Sequence, residues 1–136
     1  NIINNSFILI VWKRNSGKTI LTKNLIYVLH KKYNYDSILL FSETAHFNND
    51  YSFLPKNCIF RFNKIELQIK KILDYTENKR KSKKKFHLLI ILDDVILNQK
   101  WIYLNLISSL GRHHYITCIC SVQYCKGLIW STIRNN

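Results

Sequence analysis

Val11-Trp12-Lys13-Arg14-Asn15-Ser16-Gly17-Lys18-Thr19 is the stretch whose reading decides the fold. Phe7-Ile8-Leu9-Ile10 precedes it, an apolar run of strand length, and residues 20–33 follow with apolar side chains at helical spacing. Strand, short loop, Gly-Lys-Thr and helix are the setting of a phosphate-binding loop. In such a loop the backbone N–H groups, here those of Asn15, Ser16, Gly17, Lys18, Thr19 and Ile20, turn toward phosphate oxygens. The helix N-terminus adds partial positive charge. Lys18 is expected to reach the β- and γ-phosphates, and the Thr19 hydroxyl to hold Mg²⁺. The usual spacing is G-x-x-x-x-G-K-[ST]. Counting back from Gly17 puts Trp12 where the first glycine belongs. A loop that merely carries Gly-Lys-Thr is the plain alternative, and the remaining chain must discriminate.

The second informative stretch is His87-Leu88-Leu89-Ile90-Ile91-Leu92-Asp93-Asp94. A run this apolar reads as a strand buried on both faces, as in a parallel sheet. Delivering two acids at its carboxyl end is the Walker B arrangement. Asp93 is expected to order Mg²⁺ and its waters, and Asp94 to accept a proton from, or orient, the attacking water. Ligands of open parallel sheets bind outside the carboxyl ends of the strands, so Lys18 and Asp93 should meet at one edge. A turn-forming Asp pair is the competing explanation. Gln123 ends the next expected strand, where a polar side chain can sense a γ-phosphate or hold the lytic water.

The chain has 136 residues and is 47% hydrophobic, enough for one domain with a packed core and not for a disordered segment. It begins at Asn1 and suggests a fragment. The formal net charge of +13 suits a polyanionic partner, most often nucleic acid. A lysine-rich, AT-biased coding sequence would raise the same charge. Cys118 and Cys120 alternate along one expected strand and read as small buried apolar residues; Cys58 is too isolated to complete a zinc site with them. No secretory signal and no apolar run of about 18 residues is visible, so an intracellular, reducing compartment is expected.

Taken in order, residues 6–11 form the first expected strand, a central one. Residues 20–33 form a helix with Leu21, Leu25, Val28 and Leu29 as its buried stripe. Residues 37–42 form a second strand paired in parallel with the first through a βαβ crossover. Residues 43–57 read as a loop over the sheet edge and 58–62 as a short strand. Asn63 with Glu66 suggests a capping box opening a helix with Ile65, Ile69, Ile72 and Leu73 on its inner side. Lys79-Arg80-Lys81-Ser82-Lys83-Lys84-Lys85 reads as a solvated loop, or as a contact to a phosphate backbone. Residues 86–92, a helix over 101–110 closed by Gly111, and a strand over 115–122 complete the chain. The expected fold class is α/β, a three-layer αβα core with a mostly parallel sheet, in one domain spanning 1–136.

The segment Gly111-Arg112-His113-His114 followed by Ser121-Val122-Gln123 resembles the Gly-Arg-His … Ser-x-Gln signature of poxvirus-type virion DNA-packaging ATPases. These are P-loop NTPases of the FtsK–HerA superfamily. Ser16-Gly17-Lys18-Thr19 is similar to that family's Walker A, Leu92-Asp93-Asp94 to its Walker B, and Ile133-Arg134-Asn135-Asn136 to a following Arg-x-Asn element. The resemblance covers residues 6–136. It implies an ATP- and Mg²⁺-dependent motor that forms a homo-oligomeric ring and drives double-stranded DNA into a capsid. Lys18, Asp94 and Gln123 would be catalytic, Arg112 a finger acting on a neighbour's nucleotide, and Arg134 a residue near that neighbour. Further implied are a capsid portal or vertex protein as partner and a place in the host cytoplasm or viral factory, with virion association. The family fold continues beyond residue 136 with at least one more strand. Trp12, Lys13 and Arg14 depart from the small residues the family places there.

Two other classes compete. A nucleotide kinase would carry an arginine-rich lid and an acceptor site after the third strand, and neither is visible. Asn63-Lys64-Ile65-Glu66 resembles a guanine-recognition motif but precedes the acid pair instead of following it. A basic nucleic-acid-binding module with a degenerate loop draws its support from Trp12.

Overall fold

The computed structural model describes residues 7–13, 17–95 and 115–123. Within them β1 (Phe7–Trp12), α1 (Lys18–Tyr33), β2 (Ser37–Phe41), β3 (Ile59–Phe60), α2 (Ile65–Lys81), β4 (Leu88–Val95) and β5 (Ile116–Gln123) follow in order. The strands make one five-stranded sheet in the order β1-β5-β4-β2-β3, with every pair parallel.

β4 carries the architecture. It pairs with β2 from Ser37↔Leu88 to Phe41↔Leu92 and with β5 from Leu88↔Ile116 to Leu92↔Cys120. Its alternate residues then feed two layers. Leu88, Ile90 and Leu92 pack with Ile65, Ile69 and Ile72 of α2, whereas Leu89 and Ile91 pack with Ile26 and Leu29 of α1. The helices therefore cover opposite faces, which makes the three-layer αβα arrangement and explains why β4 is apolar without alternation. Cys118 and Cys120 lie in the α2-side core and are buried.

Several local expectations shift. β1 and β2 are parallel but not paired, because β5 and β4 lie between them. β1 is the edge strand among the described residues, with Leu9 and Val11 exposed, not a central one. The inner face of α1 is Thr22, Ile26 and Leu29; Leu21 and Val28 face outward and Leu25 is half-buried. Apolar residues surround α1, so its stripe is ambiguous by spacing alone. Thr22 tolerates burial because its Oγ1 donates to the Lys18 carbonyl at 2.9 Å. α2 buries Ile65, Ile69 and Ile72 as expected, but the capping box is absent. A 3-10 turn over Phe62–Lys64 leads into the helix, and no side chain caps it. The short strand shrinks to Ile59–Phe60.

Candidate nucleotide site at the carboxyl edge of the sheet

β1 runs into the loop that precedes α1, and Gly17 stands at the helix N-cap with φ 77. That left-handed conformation is inexpensive only without a Cβ, which accounts for glycine here. Leu21 N–H donates to the Gly17 carbonyl at 3.2 Å, closing the first turn. Lys18 is thereby held at the start of the helix, at the carboxyl ends of the parallel strands. Thr19 and Ile20 follow in the same first turn. Asn15, Ser16 and Arg112 lie outside the described residues, as do the expected helix over 101–110 and the Arg134 element.

Lys18 Nζ lies 3.2 Å from Asp93 Oδ1 and 3.1 Å from Asp94 Oδ1. Adjacent residues of a regular strand point to opposite faces, so one ammonium should not reach both. A backbone irregularity resolves this. β4 continues through the acid pair to Val95, but its register with β5 shifts between Leu92 and Val95, and Asp94 takes φ 60. Asp is among the few L-residues that accept this conformation readily. The bulge turns the Asp94 carboxylate back toward Lys18, a re-aiming that bulges commonly perform next to functional sites.

The two acids are not equivalent. The Asp93 side chain is 4% exposed and that of Asp94 is 41% exposed. Asp93 Oδ2 accepts from the Ser42 hydroxyl at 3.1 Å. Its Oδ1 accepts from the Tyr51 phenol at 3.2 Å and from the Ser121 hydroxyl at 3.4 Å. The Asp94 N–H donates to Ser121 Oγ at 3.0 Å, replacing the acceptor that the interrupted ladder removes. Ser42 Oγ also accepts from the N–H groups of Thr44 and Ala45 at 3.3 and 3.1 Å, which folds the start of the loop around the acid. A buried carboxylate so supplied with donors is fixed in orientation. Burial, reinforced by the Asp93 charge and hydrogen bond, pushes the Tyr51 phenol far above its ordinary range.

Trp12 occupies the place of the missing glycine. Its ring lies 4.6 Å from Lys18 Nζ, a cation–π contact, and its Nε1 is buried with no hydrogen-bond partner among the described residues. Trp12 is also the register partner of Gln123, which brings the ends of β1 and β5 side by side at this edge. Lys18, Asp93, Asp94 and the backbone of Gln123 therefore converge as expected.

Ser42, Tyr51 and Ser121 were not legible as site residues. Ser121 had a trace of signal in the Ser-x-Gln pattern, and Ser42 in its place at the end of a strand. Tyr51 had none, since it lies in residues 43–57, read as a loop over the edge. That loop instead sends Ala45, Tyr51 and Leu54 into the α1-side core. Among the described residues no group of three or more His, Cys, Asp or Glu side chains is arranged to hold a metal. One or two carboxylates and a hydroxyl suit Mg²⁺, which keeps waters and takes phosphate oxygens as its other ligands. A groove of about 820 Å³ between α1 and the loop, lined by Tyr27, His30, Tyr35, Phe53 and Leu54, holds none of the acids or Lys18.

The model of the family described as "Poxvirus A32 protein" matches residues 1–135. No curated protein is significantly similar to the chain. Among solved structures, the genome packaging NTPase B204 from Sulfolobus turreted icosahedral virus 2, in complex with AMPPCP, is 18% identical with a TM-score of 0.55, over 91% of this chain and 67% of that one. The pCW3 conjugation coupling protein TcpA, with ATPγS, is 14% identical with a TM-score of 0.61, over 98% of this chain and 47% of that one. C. elegans PCH-2 is 19% identical with a TM-score of 0.57, over 96% and 33% respectively. At these identities the likeness establishes the shared α/β fold. The chain spans about a third of PCH-2 and about half of TcpA.

Proposed function

Since this chain belongs to the poxvirus A32 protein family, we propose that it is the ATPase domain of a motor that drives double-stranded DNA into a capsid. The observation that carries this reading is the convergence of Lys18 on Asp93 and Asp94 at the carboxyl edge of a parallel sheet. Residues 1–136 act as one ATPase domain. In it Asn15, Ser16, Gly17, Lys18, Thr19 and Ile20 bind the phosphates of ATP through backbone N–H groups. Lys18 leaves the two carboxylates to meet the β- and γ-phosphates, exchanging one set of anions for another. Thr19 and Asp93 would hold Mg²⁺, which would supply positive charge against the phosphates. Asp94, the more open acid, takes the proton of the attacking water or orients it. Gln123 senses the γ-phosphate, and Arg112 acts on a neighbouring subunit's nucleotide within a homo-oligomeric ring.

The substrate is duplex DNA, and the further partner is a capsid portal or vertex protein. The site of action is the host cytoplasm or viral factory, with virion association. No helix among the described residues is long and apolar enough to cross a membrane.

ATP hydrolysis measured with and without duplex DNA tests the reading on the parent chain, Lys18→Ala and Asp94→Asn. Expected is DNA-stimulated turnover that both substitutions abolish. Turnover unchanged in Lys18→Ala overturns it. A parent chain that binds duplex yet hydrolyses no ATP points instead to a DNA-binding module with a degenerate loop, the reading Trp12 favours. Mixing Arg112→Ala with parent subunits should lower activity beyond the mutant fraction; a merely proportional loss counts against a trans-acting arginine.

A further inference from the structure

The fold collects positive charge at the edge of the sheet opposite Lys18, Asp93 and Asp94. In a parallel α/β sheet each crossover helix runs back against the strands, so helix C-termini gather where strands begin. The last turn of α1 carries His30, Lys31 and Lys32, and that of α2 carries Lys79, Arg80 and Lys81. The run continues past α2 through Lys83, Lys84 and Lys85, all exposed. The segments that follow the two helices are joined to each other at this edge. Asp36 N–H donates to the His87 carbonyl at 2.8 Å, and His87 N–H donates to Asp36 Oδ2 at 2.8 Å.

The run is exposed, but it is not all loop: its first three residues end α2 and the turn after them is hydrogen-bonded. Lys83 N–H donates to the Arg80 carbonyl at 3.0 Å and Lys84 N–H to the Lys79 carbonyl at 3.0 Å, with Lys83 at φ 60. This is the Schellman pattern, with lysine where glycine is usual. Four lysine heads also lie over tyrosine rings: Lys31 over Tyr27 at 5.8 Å, Lys32 over Tyr33 at 5.2 Å, Lys79 over Tyr75 at 5.4 Å and Lys85 over Tyr115 at 5.9 Å. Cations in a last helical turn gain from the helix dipole, but that effect fades beyond the turn and leaves Lys83 to Lys85 unexplained. The acids nearby are fewer than the cations: Asp36 accepts from His87 N–H, Glu77 lies 3.9 Å from Arg80, and Asp74 is one to two turns up α2.

We propose that this edge, formed by Lys31, Lys32 and the capped run Lys79 to Lys85, binds the phosphate backbone of duplex DNA, on the far side of the sheet from the nucleotide. The proposal rests on the DNA-motor reading and specifies where the chain grips its substrate. Backbone contacts of this kind are independent of sequence and release counterions, which suits a protein that must travel along any sequence.

The test is the salt dependence of binding between the full chain and a fluorescent duplex of arbitrary sequence. Lys81→Gln/Lys84→Gln/Lys85→Gln is compared with Arg61→Gln/Lys64→Gln/Lys70→Gln, which removes equal charge elsewhere. Lys83 is left in place so that the helix cap is undisturbed. The first variant should lower the slope of log K against log salt by about 2 to 3, at about 0.9 per lost phosphate contact, and the second by less than about 1. Equal slopes in both variants, or no change in either, overturn the proposal alone. Binding to vesicles of anionic lipid without binding to duplex also overturns it. A parent chain that binds no duplex overturns the DNA-motor reading together with the proposal.

Discussion

Tyr51→Phe removes one hydroxyl from the middle of the site. The ring stays in its buried place, 2% exposed, and the phenolic donor to Asp93 Oδ1 at 3.2 Å is lost together with the side-chain hydrogen bond between the phenol and Thr22. Asp93 keeps Ser42 on Oδ2, and Ser121 and Lys18 on Oδ1. A hydrogen bond to a charged group contributes about 1.5–3 kcal/mol. Taking about 2 kcal/mol for a chain of this size, the melting temperature should fall by roughly 6 °C. If Tyr51 also orients Asp93 toward Mg²⁺, the Mg²⁺ concentration for half-maximal ATP turnover should rise about tenfold, as for other residues that orient a metal ligand. The assays are a thermal melt and a Mg²⁺ titration of turnover. A variant that melts within a degree of the parent refutes the energetic argument. One that melts lower but keeps its Mg²⁺ requirement confines Tyr51 to folding. Alkaline pH offers a further check on sign. The folded Tyr51 pKa is raised, mainly by burial, so the stability it contributes is complete below its unfolded value of 10.0 and is lost as pH rises above it. Tyr51→Phe should therefore lose stability less steeply above pH 10 than the parent.

Three further outcomes follow from the same geometry. Ser121→Ala leaves the Asp94 N–H without its acceptor and Asp93 with one donor fewer, so it should cost about 1–3 kcal/mol in a denaturant titration. Lys83→Gly relieves a left-handed lysine at a helix end and should stabilise the chain by about 1 kcal/mol, seen as a higher melting temperature. Burial pushes the Cys120 thiol up to about 12 and the Cys118 thiol well above its ordinary value. Both should resist a thiol reagent at pH 8 until the chain unfolds, and their stabilising contribution, complete below about pH 9, should fall away as pH rises toward 12.

What could be read in advance was local. Gly17-Lys18-Thr19 after an apolar strand, and Asp93-Asp94 at the end of another, are short patterns whose chemistry dictates their spacing, so both were visible without the fold. The α2 stripe was visible because polar residues flank it. The α1 stripe was not, because Ile20, Leu21, Tyr27 and Val28 add apolar residues on the outward side. The insertion of β5 and β4 between β1 and β2 is a property of the whole sheet, as is the bulge that turns Asp94. Tyr51 was hidden for the same reason. Its role depends on a contact 42 positions along the chain, in a segment with no period of its own.

Trp12 gives the site an optical property that the usual glycine could not. Its indole, the chain's strongest near-ultraviolet chromophore type, lies 4.6 Å from the ammonium of Lys18. If nucleotide phosphates draw that ammonium away, the electric field across the ring changes with it, and the residue that breaks the motif becomes an intrinsic, label-free fluorescent reporter of the site's occupancy.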